Sequence, residues 1–60
     1  LQRMYNDMLV TLEKGINDLE KFEDGNMSAG TRVRKTMQTV KELAQKTRVA
    51  VQEQKNAVAA

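Results

Sequence analysis

The sequence contains no cysteine, histidine, proline or tryptophan, and its 60 residues include one tyrosine, one phenylalanine and three glycines. Each absence excludes something. Without cysteine there is no disulfide framework and no thiolate metal site. Without histidine the commonest metal ligand and the proton shuttle of neutral pH are both missing. Two aromatic rings make no platform for stacking bases or sugars. Long apolar runs are missing as well: Met8-Leu9-Val10 falls far short of the roughly 20 residues that span a bilayer. No basic segment followed by an apolar block opens the chain, so it does not read as a signal peptide. These gaps leave no enzyme chemistry, no cofactor, no metal, no small-molecule substrate and no membrane in the reading. The lack of proline works the other way, because little then interrupts a helix.

What is present points to helices that need company. A chain of this size buries only about 60% of the surface its unfolded form exposes, so its own core is marginal. The chain opens on Leu1 rather than methionine, which reads as the trimmed end of a longer protein. An all-helical fold completed by a partner is the expectation.

The formal net charge of +2 conceals a division. Residues 1–25 carry three cations against six acids, a net −3, while residues 26–60 carry seven against two, a net +5. Such asymmetry fits a second half that faces a polyanion, or two halves that attract each other.

The apolar residues have a helical period in both halves. Leu1, Tyr5, Met8, Leu12, Gly15, Leu19 and Phe22 alternate spacings of four and three, the a/d pattern of a helix packed on a helix. Met4, Leu9 and Ile16 widen that seam. Gly15 either admits a close helix approach or is a tolerated defect, and the defect is the reading adopted here. Asp24-Gly25-Asn26 punctuates the chain: Gly25 can take the left-handed conformation that ends a helix, and Asn26 can cap the next, with Ser28 and Thr31 as a second candidate cap. The second half continues through Gly30, Val33, Met37, Val40, Ala44, Thr47, Val51, Gln54 and Val58, a thinner and more polar seam. A short turn makes the two helices antiparallel neighbours. At 1.5 Å per residue the second helix runs about 46 Å against about 33 Å for the first, so it overhangs by two turns or more. An apolar overhang calls for a second chain, and a homodimer of four helices is expected.

The second helix carries the candidate site. Arg34, Lys41, Arg48 and Lys55 recur every seventh residue and so form one line, about 32 Å long, beside the apolar seam. That is close to one turn of B-DNA, roughly 34 Å. Arg32, Lys35 and Lys46 flank the other side of the seam. Phosphate binding, pairing with acids of the first helix, and plain solvation all fit this pattern. The turn offers Asn26, Ser28 and Thr31 at a helix N-terminus, where anions are favoured, but Glu20, Glu23 and Asp24 crowd it and capping is the better reading. Glu13 with Asp18, or Glu20 with Glu23, read as solvated carboxylates and not as an acid–base pair.

The run Gly25-Asn26-Met27-Ser28-Ala29-Gly30-Thr31-Arg32-Val33-Arg34-Lys35 resembles the central segment of the bacterial histone H1-like nucleoproteins, the chlamydial-type DNA-condensing family. There an acidic amphipathic helix leads to a Gly-Asn turn, small residues, and an Arg-x-Arg pair opening a long basic helix. The resemblance implies duplex DNA binding and compaction with little sequence preference, in the nucleoid of the cytoplasm. Position by position it carries onto Arg32, Arg34 and Lys35, with Lys41, Lys46 and Arg48 in the continuation. The chain departs from the family pattern at Asn56-Ala57-Val58-Ala59-Ala60, where many relatives have a Lys-rich, Ala-rich tail.

The sequence therefore predicts one all-α domain over residues 1–60: an antiparallel helical hairpin with a helix over about 2–23, a turn over about 24–28 and a longer basic helix over about 29–57. Architectural DNA binding through Arg32, Arg34, Lys35, Lys41, Lys46, Arg48 and Lys55 is the expected function. A coiled-coil assembly module, whose basic row pairs with acidic helices, is the alternative.

Overall fold

A computed structural model describes residues 1–59. Two α-helices, α1 (Gln2–Glu23) and α2 (Met27–Ala59), pack against each other as an antiparallel hairpin, and no strand occurs among the described residues. The hairpin is one helix thick, with extents of 53 × 15 × 10 Å.

The turn is tighter than the expected 24–28, and its hydrogen bonds give the reason. Gly25 has φ +104°, a conformation that costs glycine little. Its N–H donates to the Phe22 carbonyl at 3.0 Å, and the Asn26 N–H reaches back to the Lys21 carbonyl at 2.9 Å. This pair of bonds is a Schellman closure of α1. Asn26 then turns its side chain forward, and Oδ1 accepts the Ala29 N–H at 3.3 Å. One residue thus finishes one helix and caps the next. Because that cap is satisfied at Asn26, α2 starts at Met27, and Ser28 and Thr31 lie inside its first turns and not at a second cap.

The seam follows the expected one along most of α2, at Gly30, Val33, Val40, Ala44 and Thr47, and departs from it on α1, where only Met8 and Gly15 keep their places. Half-buried positions on α1 are Met4, Met8, Thr11, Gly15 and Asp18; facing them on α2 are Gly30, Val33, Thr36, Val40, Leu43, Ala44, Thr47 and Ala50, with Ala29 fully buried. The helices meet through their smaller side chains. A Cβ added to Gly15 would lie 3.0 Å from Thr36 Cγ2, so this glycine admits a close approach and is no defect. Gly30 plays the same part near the turn, where an added Cβ would fall 2.8 Å from the Phe22 ring. The seam threonines stay satisfied by donating to the carbonyl four residues back, Thr36 to Arg32 at 3.1 Å and Thr47 to Leu43 at 2.8 Å.

The larger apolar residues are displaced to one side. Tyr5 is 62% exposed, Ile16 52% and Leu12 43%, and Leu19 and Met37 are also exposed. They line a shallow groove shared by both helices, in which Leu12, Ile16 and Leu19 face Val33 and Met37. The groove continues towards Tyr5, Leu9 and Val40. On α1 the heptad reading places Tyr5, Leu12, Leu19 and Phe22 on the seam beside Met8 and Gly15, because it follows the apolar period. Close packing keeps Met8 and Gly15 there, adds Thr11 and Asp18, and turns the larger residues outward.

Candidate nucleic-acid interface

The basic residues of α2 sort into rows set by the helical repeat. Arg34, Lys41, Arg48 and Lys55 are all exposed and, seven residues apart, occupy one line. This row borders the apolar groove. Arg34 adjoins Leu19, Phe22 and Met27 near the turn, and Lys55 adjoins Val51 and Val58 at the far end. Lys35 and Lys46 are exposed on the opposite flank of α2.

The charges of the row are not consumed within the hairpin. Among the described residues the one ion pair joins Arg32 Nε to Asp18 Oδ1 at 2.8 Å. Arg34, Lys41, Arg48 and Lys55 have no carboxylate within 4.0 Å in that set, so pairing with the first helix does not account for them. Arg32 differs from the other six candidates. Asp18 sits on the half-buried seam of α1, one turn from the hairpin's end, and draws the Arg32 guanidinium onto α1. By sequence alone Asp18 reads as a solvated carboxylate, and the structure places it in this ion pair. Its position on the seam row with Met4 and Thr11, each seven residues apart, was the available signal.

Local side-chain bonds tidy the remainder of the helix surface without touching the cations. Gln38 donates to Glu42 at 3.4 Å and Gln52 to Asn56 at 3.1 Å, both between neighbours one turn apart. Glu42 is thereby engaged on the Lys35 flank, away from the Arg34 row. No group of three or more acidic residues capable of holding a metal occurs among the described residues. No described helix is long and apolar enough to cross a membrane.

At the turn, the N–H groups of Asp24, Gly25 and Asn26 are bonded to carbonyls of α1, and that of Ala29 to Asn26. These four N–H groups are engaged in closing the hairpin and capping α2.

A long exposed line of cations on a two-helix hairpin defines a class: an all-helical protein with a basic row along its second helix. The chain belongs to the histone H1-like protein Hc1 family, whose model matches residues 2–57. That family is one of histone-like, DNA-binding proteins of the nucleoid and is not an enzyme family. Comparison with curated proteins and with solved structures gave no match.

Proposed function

We propose that this chain is an architectural DNA-binding module of the nucleoid that contributes to DNA compaction as a homodimer. The carrying observation is the row Arg34, Lys41, Arg48 and Lys55, exposed and without an acidic partner among the described residues. Lys35 and Lys46 extend it on the other flank, and Arg32, held by Asp18, contributes less than the other six.

The mechanism is phosphate neutralisation. Each contact releases condensed counterions from the duplex, which drives affinity without reading sequence. The spacing of the row, about 10.5 Å between successive cations, suits phosphates along one side of a duplex and not the edges of a base pair. Tyr5 and Phe22, the only two aromatic residues, both lie on α1. No aromatic wedge on α2 therefore accompanies the row, and kinking by base-step insertion is not part of the mechanism.

Homodimerisation rests on area. A compact protein of 6.8 kDa exposes about 4,000 Å² by the usual scaling. This chain exposes 5092 Å², and among the described residues the one that is fully buried is Ala29. The excess, about 1,100 Å², exceeds the roughly 800 Å² that each partner buries in a standard interface.

A duplex-DNA shift assay across a salt series tests the function. With about six phosphates contacted, log K against log salt should fall with a slope near −5. No shift at low salt, or a slope near zero, would overturn the reading.

A further inference from the structure

We propose that two copies pair in parallel, with both turns at one end, each α2 lying over the partner's first helix, and the two α2 overhangs meeting as a short two-stranded coiled coil. The inference rests on the homodimer reading above and adds to it the topology.

Residues Gly15 and Thr36 are level across the hairpin, as are Asp18 and Arg32. By that register Leu1 reaches about as far as Ala50, and residues 51–58 of α2 extend past α1. All eight of these residues are exposed. Val51, Gln54 and Val58 share one concave strip, with Lys55 at its edge. Their spacing of three and four continues the seam positions Ala44 and Thr47, so the strip is an a/d ridge with nothing opposite it. Val58 is 85% exposed.

A second copy can meet the apolar groove in two symmetric ways. With the twofold axis across the helices, α2 lies antiparallel on the partner's second helix. The overhangs then project from opposite ends, or slide back over the partner's turn. Either way the cation rows of both copies share one edge, where like charges repel. With the twofold axis along the helices, each α2 lies on the partner's first helix, the half with net −3. The two rows fall on opposite edges. Both overhangs project at the same end with Val51, Gln54 and Val58 turned towards each other. Charge and apolar area favour the same arrangement. Gln54 at the centre of the strip is the kind of polar core residue that fixes strand number and register.

The absence of cysteine makes the topology directly readable. Val58→Cys places one thiol per chain at an exposed position that does not support the fold. In the parallel dimer the two thiols are close and oxidise to a disulfide. In the antiparallel dimer they lie about 45 Å or more apart at 1.5 Å per residue. A mixture of Val58→Cys and Ser28→Cys chains reports the slid antiparallel arrangement, which brings those two positions together. Free of DNA, and with sedimentation run alongside, Val58→Cys should cross-link at least tenfold faster than the mixed pair. A dimer that leaves Val58→Cys reduced, or a mixed pair that links faster, overturns the parallel topology. A sedimenting monomer overturns the dimer on which it rests. DNA binding enters none of these readings, so its failure in the salt series would be seen separately.

Discussion

Gly15 offers the sharpest test of how the hairpin is held. A methyl group at this position would lie 3.0 Å from Thr36 Cγ2 and 3.3 Å from Thr36 Oγ1, while Thr36 Cβ stands at an ordinary 3.6 Å. Thr36 cannot swing aside freely, because its hydroxyl donates to the Arg32 carbonyl at 3.1 Å. Two effects then oppose each other in Gly15→Ala. Replacing a mid-helix glycine by alanine stabilises by about 1 kcal/mol. Overpacking a close contact costs about 1–3 kcal/mol. In the native background the sum is a loss of about 0–2 kcal/mol. Thr36→Ala removes both near atoms, so in that background Gly15→Ala should gain about 1 kcal/mol. A gain of that size raises the midpoint by about 4–8 °C for a domain of 60–100 residues. Thermal unfolding followed by helical circular dichroism, on all four proteins at one protomer concentration, gives the coupling energy. We expect about 1–3 kcal/mol. A coupling below about 0.5 kcal/mol, the range of independent sites, would refute the close approach.

Three further outcomes follow from the same geometry. Gly25→Ala must adopt φ +104° with a side chain in place, and should lower stability by about 1–2 kcal/mol in the same melts. Asn26→Ala loses the cap on Ala29 and should cost about 1 kcal/mol, with Asn26→Asp retaining most of it. Arg34→Glu and Arg48→Glu should weaken duplex binding about equally for all DNA sequences and flatten the salt slope, whereas Arg32→Gln should alter it less because Asp18 already holds that guanidinium. Strong discrimination among duplex sequences by the native chain would contradict backbone recognition.

The punctuation of the chain was legible because its residues have few alternatives. Gly25 and Asn26 are the residue types that a helix end and a helix start require, and they stand side by side. The alignment of Arg34, Lys41, Arg48 and Lys55 was legible too, since a spacing of seven keeps exposed residues in line whatever the helix packs against. The seam was legible on α2, where Gly30, Val33, Val40, Ala44 and Thr47 hold their expected places, and much less so on α1. On α1 a heptad pattern follows hydrophobicity, so Tyr5, Leu12 and Phe22 claimed places that the fold gives to Thr11 and Asp18, and the close contact of Gly15 with Thr36 does not show. Only the pairing of glycine with a short β-branched residue reveals that contact, and it depends on which residues are level across the turn. The Asp18–Arg32 bond is hidden for the same reason. It joins positions 14 residues apart whose meeting is decided by the register.

The closure at Gly25 has a consequence for what else this chain could become. If residues 2–59 ran on as a single helix they would make a rod about 87 Å long, against the 53 Å of the hairpin. Two such rods side by side could reproduce every seam contact between chains, the route by which hinge changes yield swapped dimers. The dihedral angle of one glycine separates the two topologies. Asn26, committed to both helices, holds that angle in place with a bond on either side. The turn is therefore a lock on chain reversal as well as a connector, and its two residues decide whether an apolar strip is shared within a molecule or exchanged between molecules.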